Sequence, residues 1–97
     1  MSLTITLDPQ GRLKLPGEMN AAGLYSVIVA PQTGGGVLLV TREGERNLPL
    51  PIRVISRRVP IEKGETIRLP PELIGKLGGQ LRVRIINPGM WLVEQSH

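Results

Sequence analysis

Leu3, Ile5 and Leu7 alternate with Thr4 and Thr6 near the start of the chain, the period-two pattern of a strand with one buried face. Asp8-Pro9-Gln10-Gly11 follows as a turn, with proline suited to its second position and glycine supplying permissive dihedrals. Alternation resumes in Arg12-Leu13-Lys14-Leu15, which predicts a hairpin with Leu13 and Leu15 inward and Arg12 and Lys14 on the opposite face. Pro16 ends that strand, and Gly17 to Ala22 has room only for a short helix closed by Gly23. Leu24 to Ala30 reads as an apolar strand, Pro31 to Gly36 as a loop and Val37 to Thr41 as the returning strand. The triple glycine Gly34 to Gly36 lacks the lysine and following helix of a phosphate loop, so a plain hairpin tip is expected there.

The same plan then returns. GRLKLPGEM, from Gly11 to Met19, is answered by ETIRLPPEL, from Glu65 to Leu73. With Pro16 set on Pro70, Leu13 meets Ile67, Lys14 meets Arg68, Leu15 meets Leu69 and Glu18 meets Glu72. GGVLLVTRE (Gly35 to Glu43) is echoed by PGMWLVEQ (Pro88 to Gln95). An internal period redefines the folding unit, and only two copies argue against a solenoid. The expectation is one domain with a shared pseudo-symmetric core: repeat one over 1–44, a connector over 45–51 and repeat two over 52–97.

Asn47 to Pro51, NLPLP, reads as an extended connector because it is too proline-rich for an interior strand. In the second copy Ile52 to Val59 is a predicted strand, Glu62 to Glu65 a turn and Thr66 to Leu69 a short strand. Pro70-Pro71 then opens a helix over Glu72 to Leu77, stopped by Gly78-Gly79. Leu81 to Ile85 alternates as a strand with Arg82 and Arg84 on one face, and a turn at Asn87-Pro88-Gly89 leads to a last strand over Met90 to Glu94.

Composition narrows the function classes. At 97 residues either repeat alone would bury too little apolar surface to fold unaided. The chain has no cysteine, which excludes disulfides and thiolate metal sites. No stretch is long and apolar enough for a membrane span, and MSLTITLD lacks the layout of a signal peptide, so a cytoplasmic protein is expected. Phenylalanine is absent, and Tyr25 and Trp91, the two aromatics, are expected to pack in an aliphatic core. The net charge of +4 is unevenly placed. Arg12, Lys14, Arg42 and Arg46 balance Asp8, Glu18, Glu43 and Glu45, whereas Arg53, Arg57, Arg58, Lys63, Arg68, Lys76, Arg82 and Arg84 outnumber Glu62, Glu65, Glu72 and Glu94. A basic surface of this kind serves nucleic acid or keeps a solvated face soluble.

Asp8, Gly11, Arg12, Leu15, Pro16 and Glu18 match the pattern D-x-x-G-R-x-x-[IVL]-P-x-E position for position. In this the chain resembles the AbrB/MazE/MraZ superfamily of swapped-hairpin DNA-binding domains. The second copy keeps Leu69, Pro70 and Glu72 but has Thr66 in place of the signature arginine. The resemblance implies a mainly β fold, a swapped-hairpin β-barrel built from two pseudo-symmetric repeats with one short helix each. It also implies a small transcription regulator whose basic side chains meet double-stranded DNA. The carry-over reaches Arg12 directly. Lys14 and Arg68 (paired by the repeat), Arg57 and Arg58, and Lys76, Arg82 and Arg84 are added from charge and predicted position. Asn20-Ala21-Ala22 carries none of the helix arginines found in AbrB. Antitoxin members of the superfamily carry an extended tail that wraps a toxin, and with only a few residues after the last predicted strand an antitoxin role of that kind is not expected.

Each basic site has a second reading. Arg12 either contacts a phosphate or guanine edge, or pairs with Asp8 or Glu18 to hold the hairpin. Of Arg57 and Arg58, strand alternation would turn only one outward. Arg82 and Arg84 form a stripe that strand-face solvation explains equally well. An enzyme is not expected, because His97 is the one histidine and no acid pair falls in a cleft pattern. No cofactor, metal or small-molecule substrate is implied, and two aromatics are too few for a single-stranded RNA platform. Two functions remain. One is duplex DNA binding, with a homodimer of pseudo-dimers as a further association. The other is a β-barrel for protein–protein assembly, of related double-psi type, with its DNA face eroded.

Overall fold

The structure is a computed structural model and describes residues 2–17, 24–74 and 77–96. The protein is mainly β. Its described elements run β1 (Ser2–Thr6), β2 (Arg12–Lys14), β3 (Ser26–Pro31), β4 (Val37–Val40), α1 (Arg42–Glu45), α2 (Leu50–Ile55), β5 (Arg57–Pro60), β6 (Thr66–Arg68), α3 (Pro71–Ile74), β7 (Gln80–Asn87) and β8 (Met90–Gln95). Six strands form one antiparallel sheet in the order β1-β7-β8-β4-β3-β5, and β2 pairs with β6 in a separate two-stranded ribbon. The larger sheet ends on β1 and β5 and is not closed into a barrel.

That strand order is a palindrome of the two repeats. The first strand of each repeat pairs with the third strand of the other: β1 lies on β7, and β5 on β3. The same shift of 54 positions that sets Pro16 on Pro70 relates the bonds in detail. Ile5↔Leu81 corresponds to Val59↔Val27. Leu7 N–H donates to the Gly79 carbonyl at 2.9 Å, and Ile61 N–H to the Tyr25 carbonyl at 2.9 Å. Leu15 N–H reaches the Glu65 carbonyl, and Leu69 N–H the Gly11 carbonyl, again at 2.9 Å each. The pseudo-twofold axis passes through the Leu13↔Ile67 pair of the ribbon and the Leu38↔Leu92 pair of β4 and β8.

This pairing revises the predicted first hairpin. The Asp8 to Gly11 turn forms as expected, with Gly11 N–H on the Asp8 carbonyl and Gly11 at φ 85°. Past the Leu7↔Leu13 bridge, however, β1 and β2 part, each to a partner in the other repeat. A strand's apolar face finds its cover wherever the core lies, and the local alternation of Leu3 to Leu15 does not say which strand supplies it.

The main core gathers one face of every strand. Leu13, Ile67, Leu81, Val83 and Val93 are fully buried there beside Leu7, Leu15, Val27, Val29, Leu39, Leu69 and Trp91. Tyr25, by contrast, is 90% exposed, so only one of the two aromatics packs as anticipated. β3 and β4 are buried on both faces, because Ile28, Ala30, Leu38 and Val40 meet Leu48 and Met90 in a second cluster on the far side of the sheet.

The lid over that second cluster is the connector, and here the reading of an extended NLPLP segment and a strand from Ile52 is overturned. Leu50–Ile55 is helical. Pro49 stands at its N-cap and Pro51 in its first turn, where a missing N–H breaks no helical bond. Ile52 N–H and Arg53 N–H both donate to the Pro49 carbonyl. Ile52 docks on the second cluster, while Leu50, Val54 and Ile55 face outward. α2 therefore crosses the expected boundary between connector and second repeat. The helix expected over Gly17 to Ala22 lies, beyond Gly17, outside the described residues; Glu18 and Lys76 do as well. Among the described residues no helix is long and apolar enough to cross a membrane.

Candidate nucleic-acid interface

The eight basic positions singled out in the sequence separate into three structural settings and one undescribed position. The first setting is the ribbon. Leu13 and Ile67 point inward from it and are fully buried, which turns Arg12, Lys14 and Arg68 to the opposite, exposed face. Arg12 stands directly opposite Arg68, and Lys14 opposite Thr66. Among the described residues these three cations form no ion pair. Asp8 does not hold the Arg12 side chain. Its Oδ1 accepts the backbone N–H groups of Gln10 (2.9 Å) and Arg12 (2.7 Å) and so fixes the turn from which the ribbon starts.

The second setting is the edge strand β5. Arg57 and Arg58 point to opposite faces, as alternation requires, and both are exposed on β5, the last strand of the described sheet. Each already has an acid. Arg57 meets Glu72 of α3. Arg58 lies 2.7 Å from Glu45 of α1 and also donates to Ser26 Oγ at 3.2 Å. These pairs tie the short helices to the sheet edge, and charged side chains there also discourage edge-to-edge pairing.

The third setting is the outer face of β7. Arg82 and Arg84 share one carboxylate, Glu94 Oε1, at 2.9 and 3.0 Å. The internal symmetry explains them. Their counterparts in repeat one are Ile28 and Ala30, which the connector covers, and Glu94 stands where Val40 does in the covered half. Among the described residues nothing covers that face in repeat two, so it is solvated, and its two arginines share the one acid and keep a net charge of about one. Lys76, the remaining position, lies outside the described residues.

Among the described residues the ribbon thus brings three cations together with none of them in an ion pair. Like charges directly opposite on neighbouring strands repel, with Cβ atoms about 5 Å apart. An arrangement of Arg12 against Arg68 is therefore one that a bound polyanion would offset. Sequence reasoning overlooked Lys63. It is exposed in the turn before β6, at the Lys14 end of the ribbon, beside Glu62 and Glu65. Its surplus-charge signal was present, but the turn could be placed against the ribbon only once the pairing across the repeats was seen.

An apolar feature lies near the other end of the pseudo-twofold axis. Leu38, Ile52, Ile86, Met90 and Leu92 line an open groove of ≈ 300 Å³ next to α2. Among the described residues no cluster of three or more histidine, cysteine, aspartate or glutamate side chains could hold a metal ion. No family model matches the chain, and no curated protein matches it either.

Proposed function

We propose that this protein binds double-stranded DNA as a small cytoplasmic transcription regulator, with the β2–β6 ribbon as its contact surface. In this reading the sheet and ribbon together are a swapped-hairpin unit of the AbrB kind, with both halves in one chain. The observation that carries it is the exposed ribbon face, where Arg12, Arg68 and Lys14 stand together with no acid engaged among the described residues. The strand exchange between the repeats supports the architectural part. A two-stranded ribbon is of a size that the major groove admits, and arginine is the side chain best suited to guanine edges and phosphates.

Three ribbon cations that each neutralise one phosphate give a slope of about −3 in log affinity against log salt. Arg12→Ala combined with Arg68→Ala is expected to flatten that slope by about two units. Arg58→Ala should leave it nearly unchanged, since Glu45 is paired with that side chain alone. Absence of duplex binding at low salt overturns the proposal.

A protein-assembly module is the second reading, and the outward apolar side of α2 favours it: Leu50 is 68% and Val54 75% exposed. Under that reading the chain associates, with a second copy or another protein, through α2 and the adjacent groove. Sedimentation of wild type and Val54→Glu separates the two. An association state that the substitution abolishes, in a chain with no affinity for duplex, selects assembly.

A further inference from the structure

The ribbon has two unequal ends. The pseudo-twofold axis through Leu13↔Ile67 relates Lys14 to Arg68 and Arg12 to Thr66. Lys14 and Arg68 are thus symmetry mates that preserve a cation, whereas Arg12 has no basic mate. As a result one end of the ribbon carries Arg12 and Arg68 side by side, next to the Asp8 turn whose Oδ1 is taken up by two backbone N–H groups. The other end carries Lys14 opposite Thr66, next to a turn in which Lys63 sits between Glu62 and Glu65. Counted over these side chains, the first end has two cations against one acid and the second has two cations against two acids. The backbone is two-fold and the charge is not.

We propose that the ribbon reads a non-palindromic duplex site in one fixed orientation, with Arg12 as the residue that sets the polarity. This inference rests on the duplex reading above. Arg12 and Arg68 form the end that specifies base edges, because paired guanidiniums present planar donor forks that match guanine in the major groove. The Lys14–Thr66 end contributes a single point charge suited to a phosphate and adds position rather than sequence. A symmetric backbone on which both ends carried an arginine would instead select a site with a dyad. Thr66 is the position that withholds it: its hydroxyl donates to the Lys63 carbonyl at 3.3 Å and closes its own turn.

The test uses the full chain and random-duplex selection. The wild type is expected to select a motif without a dyad. Thr66→Arg is expected to convert the selected motif to a palindrome and to raise affinity for that palindrome about tenfold, the scale of one added arginine–guanine contact. Arg12→Thr, which equalises the ends by removal, is expected to lose the base preference of one half of the motif and keeps the test open should Thr66→Arg fold poorly. Orientation is read directly by cleavage. The chain has no cysteine, so Gln10→Cys, on the exposed turn beside Arg12, gives a single attachment point for an iron chelate. Cutting on one flank of the selected site is the expected result. Duplex binding with equal cutting on both flanks, or a wild-type motif that is palindromic, overturns the polarity and leaves the duplex reading standing. No binding to any duplex removes both.

Discussion

Glu65 holds left-handed backbone at φ 58°, at the position that Gly11 fills in repeat one with φ 85°. Both residues accept an equivalent bond, Glu65 from Leu15 N–H and Gly11 from Leu69 N–H, so the conformation is fixed by pairing across the repeats. A side chain in that region costs about 1–2 kcal/mol, and glycine's extra unfolded-state freedom returns part of it. Glu65→Gly should therefore stabilise the protein by about 0.5–1 kcal/mol, read as a higher urea midpoint with an unchanged m-value. Gly44 makes the opposite case. A Cβ there would lie 2.5 Å from the Gly89 carbonyl oxygen, because α1 packs backbone to backbone on the β7–β8 turn. The same carbonyl accepts Thr41 N–H at 2.8 Å and Thr41 Oγ1–H at 3.3 Å. Gly44→Ala is expected to cost about 2–3 kcal/mol by overpacking, measured in the same denaturation series.

At the scale of elements, the ribbon concentrates the testable contrast. Each strand contributes one fully buried residue, Leu13 or Ile67, to the main core, and that inward face holds the ribbon in place. The outward face contributes repulsion between Arg12 and Arg68. Arg12→Ala should consequently leave stability unchanged or raise it by about 0.2–0.5 kcal/mol while weakening duplex binding. A loss of stability with unaltered binding would mark Arg12 as a structural residue and remove it from the interface. Much of this element was legible in advance, since Arg-Leu-Lys-Leu fixes which side chains face in and which face out. What it could not disclose was the partner strand, because register across 54 positions is set by tertiary packing and not by alternation. The connector was misread for a different reason. Two prolines in NLPLP exclude a helix interior but not its first turn, and only the presence of a second apolar cluster gives Ile52 something to dock on. The arginine stripe of β7 was located correctly, yet its shared acid, Glu94, was visible only through the pairing of β7 with β8.

For the molecule as a whole, the repeats are alike in backbone and divided in surface. Repeat one has its outer sheet face covered by the connector; repeat two leaves it to Arg82, Arg84 and Glu94. Part of the charge imbalance along the sequence reflects this difference in cover. Four of the basic residues in the second half (Arg57, Arg58, Arg82 and Arg84) are spoken for by acids. Net charge by sequence half was therefore a coarse guide to the proposed contact surface, and the balanced first half supplies two of the three ribbon cations. Neither half is a folding unit. A fragment ending at residue 44 retains β1 and β3 without β7 and β5, and should be unstructured by circular dichroism and amide exchange.

The exchange of strands between repeats also has a consequence in mass action. Where interleaved halves belong to separate chains, assembly is second order, and dilution dissolves the folded state. Here every exchanged strand is tethered to its counterpart, so assembly is unimolecular. The unfolding midpoint of this unit should not move across a hundredfold range of protein concentration. Under the duplex proposal, occupancy of a target by the single unit would rise with the first power of copy number rather than its square, a graded response retained even at low concentration.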